Sequence, residues 1–222
     1  MSVDTIRRRG FLQVTTKRAW GAEIQNREEK FELKRRAVLH SAARILLRIG
    51  YDALSLADIA VDLHVAKPTI YYYFRNKDEI VHELMELAVA AFLDPSDHPE
   101  DFPDREGLSG ARRFELFVRR CVRVTSDDVG ACLFSVYPNQ LPAGPRHDID
   151  VLGQPVVQWA ERIIKDGLAD GSIAPCEPAL VYHFMLNGLR AVRVLHEIGQ
   201  GTFEDIADGI VALLAHGIQS RA

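Results

Sequence analysis

An all-α fold is what this sequence predicts, with a short N-terminal helix-turn-helix followed by a larger helical region. Three observations point there. Apolar residues recur at spacings of three and four along most of the chain, and no alternating strand pattern competes. Glycine and proline punctuate those runs where helices would have to stop. The stretch "SLADIAVDLHVAKPTIYYYFRNKDEI", residues 55–80, packs a capped apolar stripe, a tight turn and a second short helix into 26 residues.

The chain has 222 residues, 47% apolar and 26% charged, which suits one large or two small globular domains and excludes a disordered chain. No apolar run approaches the roughly 18 residues of a membrane span. Arg7, Arg8 and Arg9 are followed by no signal-peptide core, so the cytoplasm is the expected location and no membrane partner is expected. Three widely spaced cysteines, Cys121, Cys132 and Cys176, read as reduced thiols. Charge is unevenly placed. Residues 1–77 hold 15 Lys and Arg against 8 Asp and Glu, and residues 78–222 hold 12 against 23. A basic front and an acidic back suit a polyanion-binding module joined to something else.

In order along the chain, residues 1–25 lack periodicity and read as a flexible basic arm. Asn26 and Glu29 have capping-box spacing and open a long helix. Phe31, Val38, Ala42, Ile45 and Ile49 form its inward stripe, and Gly50 is its natural stop. Ser55 and Asp58 repeat the cap, and Leu56, Ile59, Ala60 and Leu63 line a two-turn helix. The next begins near Ala66–Lys67, where Pro68 is acceptable because a first-turn N–H has no partner to lose. Only His64-Val65-Ala66 separates the two, the spacing of a helix-turn-helix over residues 55–74. At 3.6 residues per turn, Ile70 and Phe74 share the inward face. Tyr72 then projects outward, with Pro68 and Thr69 beside it and Tyr71 and Tyr73 on the flanks. Hydroxyls, rings and the nearby Lys67, Arg75 and Lys77 suit a DNA groove. Tyrosines that merely cover the core's edge are the competing reading.

Residues 32–92 resemble the N-terminal domain of the tetracycline-repressor (TetR) family of transcriptional regulators. The resemblance rests on "ILLRIGYDALSLADIAVDLHVAKPTIYYYFRNKDEIV", above all on the spacing of Thr69, Tyr71, Tyr73-Phe74 and Lys77. It implies that the third helix enters the major groove. By position, Lys67, Pro68, Thr69, Tyr71, Tyr72 and Lys77 match the family's DNA-contacting residues, with Ser55 and Ala57 at the start of helix two. His64 departs from the pattern, standing where the family usually has glycine. Ala57 is small where a member can carry a base-reading side chain.

Helix four is expected from Asn76–Asp78 to about Phe92, and "DPSDHPEDFPDREGLSG", residues 94–110, reads as a loop. Further helices are expected over 111–126, 129–137, 148–170 (kinked at Pro155), 178–198 and 203–219. In the first of these Phe114, Phe117, Val118, Cys121 and Val122 face inward. Arg119, Arg120 and Arg123 take no clear inward position. "DGLADGSIAP" and "EPALVYHFMLNGLRAV" are similar to the turn and penultimate helix of family members, whose last two helices pair with their symmetry mates. Residues 178–219 are therefore expected to form a homodimer seam. Phe134, Tyr137, Trp159, Tyr182, Met185 and Asn187 lie where the resemblance implies an effector cavity.

No phosphate loop, nucleophile elbow or metal-ligand spacing occurs, so no enzyme activity, cofactor or metal is expected. The organisation expected is an arm (1–25), a DNA-binding domain (26–92), and a ligand-binding and dimerisation domain (93–222). The implied function is a dimeric repressor that binds double-stranded DNA at a palindromic operator and is released by a small apolar effector. The alternative is a regulator of the same fold acting as an activator or partner-docking module without an effector.

Overall fold

The computed structural model describes residues 27–96, 99–136 and 141–216. The basic arm, Asn26 and Tyr137 lie outside the described residues. Every regular element among those described is helical. They form α1 (Arg27–Ala53), α2 (Leu56–Asp62), α3 (Lys67–Tyr71), α4 (Lys77–Leu93), a 3-10 turn (Pro99–Asp101), α5 (Gly110–Val124) and α6 (Asp128–Ser135). Next come α7 (Ala143–Ala169), α8 (Pro178–Arg190), α9 (Val192–Glu197) and α10 (Phe203–His216). No described helix is long and apolar enough to cross a membrane.

The chain divides into two compact units. The first runs to Ala91 and takes in Asp128–Leu152; the second holds Phe92–Asp127 and everything from Gly153 onward. The sequence reading, by contrast, drew one boundary after residue 92. α6 is brought to the first unit by packing, since Val129 and Cys132 join the core that α1 lines. That partnership is between segments at least 75 residues apart, and periodicity does not report it.

In the first unit, Val38, Ala42 and Ile45 of α1 are buried as their spacing requires. Ile49 is not: it is 42% exposed. At the adjacent Gly50 the chain leaves helical geometry (φ 77°). α2 is capped reciprocally, with Ser55 Oγ accepting from the Asp58 N–H and the Asp58 carboxylate accepting from the Ser55 N–H. Leu56, Ile59, Ala60 and Leu63 are all buried. The turn into α3 passes through His64 at φ 55°, the single described non-glycine residue with positive φ. Such a conformation costs an L-residue about 1–2 kcal/mol, which histidine meets better than a β-branched side chain would. Ile70 and Phe74 are buried almost completely, beside Ile80 and Leu84 of α4.

In the second unit, α5 buries Leu116, Phe117, Val118, Cys121 and Val122, while Phe114 is only half-buried. α10 lies along α5. α7 starts at Ala143, five residues before the expected 148, and continues through Pro155 without ending. The expected helix 178–198 is divided at Ala191, whose N–H bonds to the Gly188 carbonyl three residues back (3.0 Å). Of the expected last helix, residues 217–219 lie outside the described residues.

Candidate nucleic-acid interface

α3 is five residues long, and the chain leaves it in continued turns. Tyr72 N–H bonds to Pro68 O (3.2 Å), Tyr73 N–H and Phe74 N–H both to Ile70 O (2.9 and 3.0 Å). Ile70 and Phe74 anchor this segment in the core. The opposite side is open: Lys67, Pro68, Tyr71, Tyr72 and Arg75 are exposed, and Thr69 is half-buried beside them. Tyr72 is 66% and Tyr71 49% exposed, so neither tyrosine merely covers the core's edge. Lys67 Nζ stands 5.8 Å from the Tyr71 ring centroid.

The exposed rings are braced from behind. Phe31 of α1 meets Tyr72 edge-on (5.7 Å between centroids) and Tyr73 at 5.0 Å, while Tyr72 and Tyr73 meet edge-on at 5.1 Å. Each edge-on pair is worth about 0.5–1.5 kcal/mol beyond its buried area. Tyr72 is thereby presented in one orientation. Ordering a free tyrosine on a ligand would otherwise cost entropy. The brace was not legible in the sequence, because Phe31 and Tyr72 are 41 residues apart.

Polar pins fix α1 against the other helices. Asp62 of α2 accepts from Ser41 Oγ (2.5 Å) and Arg44 Nη2 (2.7 Å). The Tyr51 hydroxyl donates to Asp78; burial, then that carboxylate, pushes its pKa well up. Lys77 Nζ donates to the carbonyls of Tyr51 (2.9 Å) and Asp52 (3.2 Å) and lies 4.3 Å from the Tyr51 ring centroid. Lys77 therefore ties the start of α4 to the end of α1, with one ammonium hydrogen left for another acceptor. Ser55 and Ala57, at the start of α2, are half-buried, and the Ser55 hydroxyl is occupied by its cap.

Arg35 of α1 pairs with Glu83 of α4 and lies 4.6 Å from the Phe74 ring centroid. Burial is the main reason the Glu83 carboxyl is pushed up to about 7; Arg35 opposes it, and Glu32, Glu86 and Glu79 reinforce it. The sign follows from linkage. Below the ordinary glutamate range the group is neutral in both states and the fold bears no penalty. As pH rises to about 7, the unfolded chain ionises first and stability falls. Urea unfolding of Glu83→Gln is therefore expected to show a smaller loss of stability between pH 5 and pH 7 than the parent. An unchanged pH slope would contradict this.

The described residues among the six expected to line an effector cavity belong to both units. Phe134 is buried in the first unit, and Tyr137 lies outside the described residues. In the second unit Trp159 is buried at the centre of a ring cluster. Phe92 and Phe117 stand edge-on to it (5.8 and 5.6 Å) and Phe102 is tilted at 5.1 Å. Tyr182 and Met185 are buried on one side of α8, and burial pushes the Tyr182 hydroxyl up to about 12. Asn187 is exposed on the other side, its amide bonded to the His183 carbonyl (2.8 Å) and accepting from Arg190 (2.8 Å). A position five residues beyond Tyr182 is most of half a turn out of phase with it.

The sequence reading missed Arg120. It is 2% exposed, and its guanidinium donates to the carbonyls of Phe92 (2.6 Å) and Asp94 (2.6 Å) at the end of α4. The Phe92 and Phe102 rings lie 5.7 and 5.4 Å from it. A helix C-terminus carries partial negative charge and orphan carbonyls, which is what lets an arginine be buried there.

Residues 38–84 match the profile of bacterial regulatory proteins of the tetR family. The chain is 23% identical over 158 residues to an uncharacterised HTH-type transcriptional regulator, YhgD, of Bacillus subtilis (strain 168). That match covers 69% of this chain and 78% of the relative. Among solved structures, the fold is similar to AibR in complex with isovaleryl coenzyme A and operator DNA (TM-score 0.66, 21% identity, 81% of this chain and 97% of that one). It is also similar to FadR from Bacillus subtilis in complex with stearoyl-CoA (TM-score 0.62, 19% identity, 82% and 98%).

Proposed function

The chain belongs, through residues 38–84, to the tetR family of bacterial regulatory proteins, and from that premise we propose that it is a ligand-released repressor acting as a homodimer. The observation that carries the DNA-binding part is the outward face of α3, with Tyr72 exposed yet braced on Phe31. Lys67, Pro68, Thr69, Tyr71 and Tyr72 read the major groove, with Ser55 and Ala57 at its edge. Lys77 meets phosphate with the hydrogen its carbonyl contacts leave free. The protein works in the cytoplasm, where its operator is.

The dimer reading is supported by an apolar strip on the last helices: Leu180, Phe184, Val194, Ile198 and Leu213 are 44–69% exposed. Gly188 and Gly209 have open space where a side chain would stand, which permits close helix approach. A two-fold interface of this kind is self-complementary, and it sets the spacing of two α3 segments on a palindrome. Two structural relatives hold acyl-coenzyme A ligands, which supports an effector with an apolar portion here too. Coupling then requires that the effector prefer a dimer arrangement that no longer fits the operator; each tenfold preference corresponds to about 1.4 kcal/mol.

The proposal is tested by selection from random duplex DNA. Bound sequences should converge on an inverted repeat, protected by two chains and with half-sites about one helical turn apart. Phe184→Glu, which puts a charge in the strip, should give monomers that lose the selected site. A non-repeated site bound by one chain would contradict the dimer reading.

A further inference from the structure

Five residues give α3 little more than one turn, a length at which a helix adds little order of its own. Tyr72 stands at its C-cap, largely exposed, with its N–H bonded to Pro68 O at 3.2 Å. What holds its ring is therefore tertiary. Phe31, Tyr72 and Tyr73 close a triangle of rings with centroids 5.0–5.7 Å apart, and Tyr73 in turn packs against the core. The corner at Phe31 is itself anchored. Arg35, one turn further along the same face of α1, lies over the Phe74 ring (4.6 Å) and pairs with Glu83 of α4. Leu39, a turn beyond that, is buried. One stripe of α1 thus reaches both Tyr72 and Phe74, the outward and the inward ring at the exit of α3. The match to the family profile begins at residue 38, so Phe31 and Arg35 both precede the matched residues.

We infer that Phe31 is a positioning residue for base-pair discrimination, its ring holding the Tyr72 ring in the orientation that meets the groove. The inference rests on the reading of Tyr72 as a groove contact. A side chain distinguishes base pairs only if it cannot swing to an equally good contact with the wrong pair. A tyrosine that turns freely finds such contacts and loses entropy on making any of them. Without the Phe31 ring, Tyr72 keeps one ring contact, with Tyr73, and gains room to turn. Phosphate contacts by Lys67 and Lys77 do not pass through that ring, so sequence-independent binding is not its concern.

The test compares the full chain with Phe31→Leu, Phe31→Tyr, Tyr72→Ala and the Phe31→Leu, Tyr72→Ala double variant. Each is measured on the selected operator, on its single-base-pair substitutions and on random duplex. Leucine keeps apolar bulk and removes the ring; tyrosine keeps the ring. Phe31→Leu is expected to lose about two- to tenfold of the operator's preference, the range of one ring contact, at the base pairs that Tyr72→Ala ceases to distinguish. Phe31→Tyr should keep that preference. Affinity for random duplex and its salt slope should not change, and the double variant should discriminate no worse than Tyr72→Ala alone. In the free protein, ring-carbon NMR relaxation should show Tyr72 ordered in the parent and in Phe31→Tyr, and mobile in Phe31→Leu. Undiminished preference in Phe31→Leu, a loss spread equally over random duplex, a loss additive with Tyr72→Ala, or an equally ordered Tyr72 ring would each overturn the inference and leave the groove reading standing. Tyr72→Ala that discriminates as well as the parent would remove Tyr72 as a groove contact, and the inference with it.

Discussion

Gly110→Ala is expected to destabilise the second unit by at least about 3 kcal/mol, near the top of what overpacking usually costs. A Cβ on Gly110 would run into the backbone of Gly167, at its Cα and N, and stand 3.0 Å from the Asp166 carbonyl carbon. Backbone cannot turn aside as a side chain can. The start of α5 and the end of α7 are further stitched together by polar bonds. Gly110 N–H donates to Asp170 (2.7 Å) and Ala111 N–H to Ser172 Oγ (2.9 Å), while Arg113 bridges Asp104 (2.5 Å) and Asp166 (2.6 Å). Separating the helices to admit one methyl group would stretch all of these. The gain in helix propensity from glycine to alanine, about 1 kcal/mol at most, is too small to offset it. Gly167→Ala is the control. The three atoms nearest its Cβ all belong to the Ile173 side chain, whose two closest carbons (2.5 and 2.6 Å) can turn aside, so a loss of about 1–2 kcal/mol is expected. Denaturant unfolding followed by Trp159 fluorescence, with Trp20 replaced by phenylalanine, reads both. Equal losses would mean that the crossing can relax.

Arg120→Met should cost about 2–4 kcal/mol. Removing the guanidinium leaves the Phe92 and Asp94 carbonyls without their buried donor, at about 1–3 kcal/mol for each group left unpaired. Methionine fills part of the volume and supplies no hydrogen bond. Lysine should not rescue: its single ammonium cannot reproduce donation from Nε and Nη2 in a fixed plane between two aromatic rings. Because these carbonyls end α4, the same variant should loosen the last turn of that helix. Hydrogen exchange of the amides around Phe92 checks that separately from global stability. If lysine restores full stability, charge and not planar donation holds the site.

What was legible in the sequence is what local chemistry decides. The Ser55–Asp58 cap and the inward Ile70–Phe74 pair follow from neighbours within a few residues, and the structure has them; at Gly50, the expected stop, it has a break in the helix, which resumes to Ala53. The tilt of helices at a crossing is different. Gly110 read as the end of a loop because its partner, Gly167, is 57 residues away. Arg120 took no clear inward position in the sequence because the carbonyls that its burial satisfies belong to another helix. Asn187 was read as an orienting group in a pocket; its side chain is exposed and bonded to its own helix, a contact that spacing alone does not report. Ser55, Ala57 and the α3 residues were placed by resemblance. For one of them the structure adds a contact, the Phe31 ring behind Tyr72.

The central claim is that the outer face of α3 reads DNA. Its most direct test is operator affinity of the Thr69→Ala, Tyr72→Ala double variant against the parent, measured on the selected operator and on random duplex at several salt concentrations. Both side chains are outside the core, so the double variant should still fold, less stably by about the worth of the Tyr72 ring contacts with Phe31 and Tyr73. Affinity for the operator is expected to fall by about 2–5 kcal/mol, while affinity for random duplex and its salt slope stay as they were, since phosphate contacts remain. Undiminished operator affinity in a folded double variant would contradict the account.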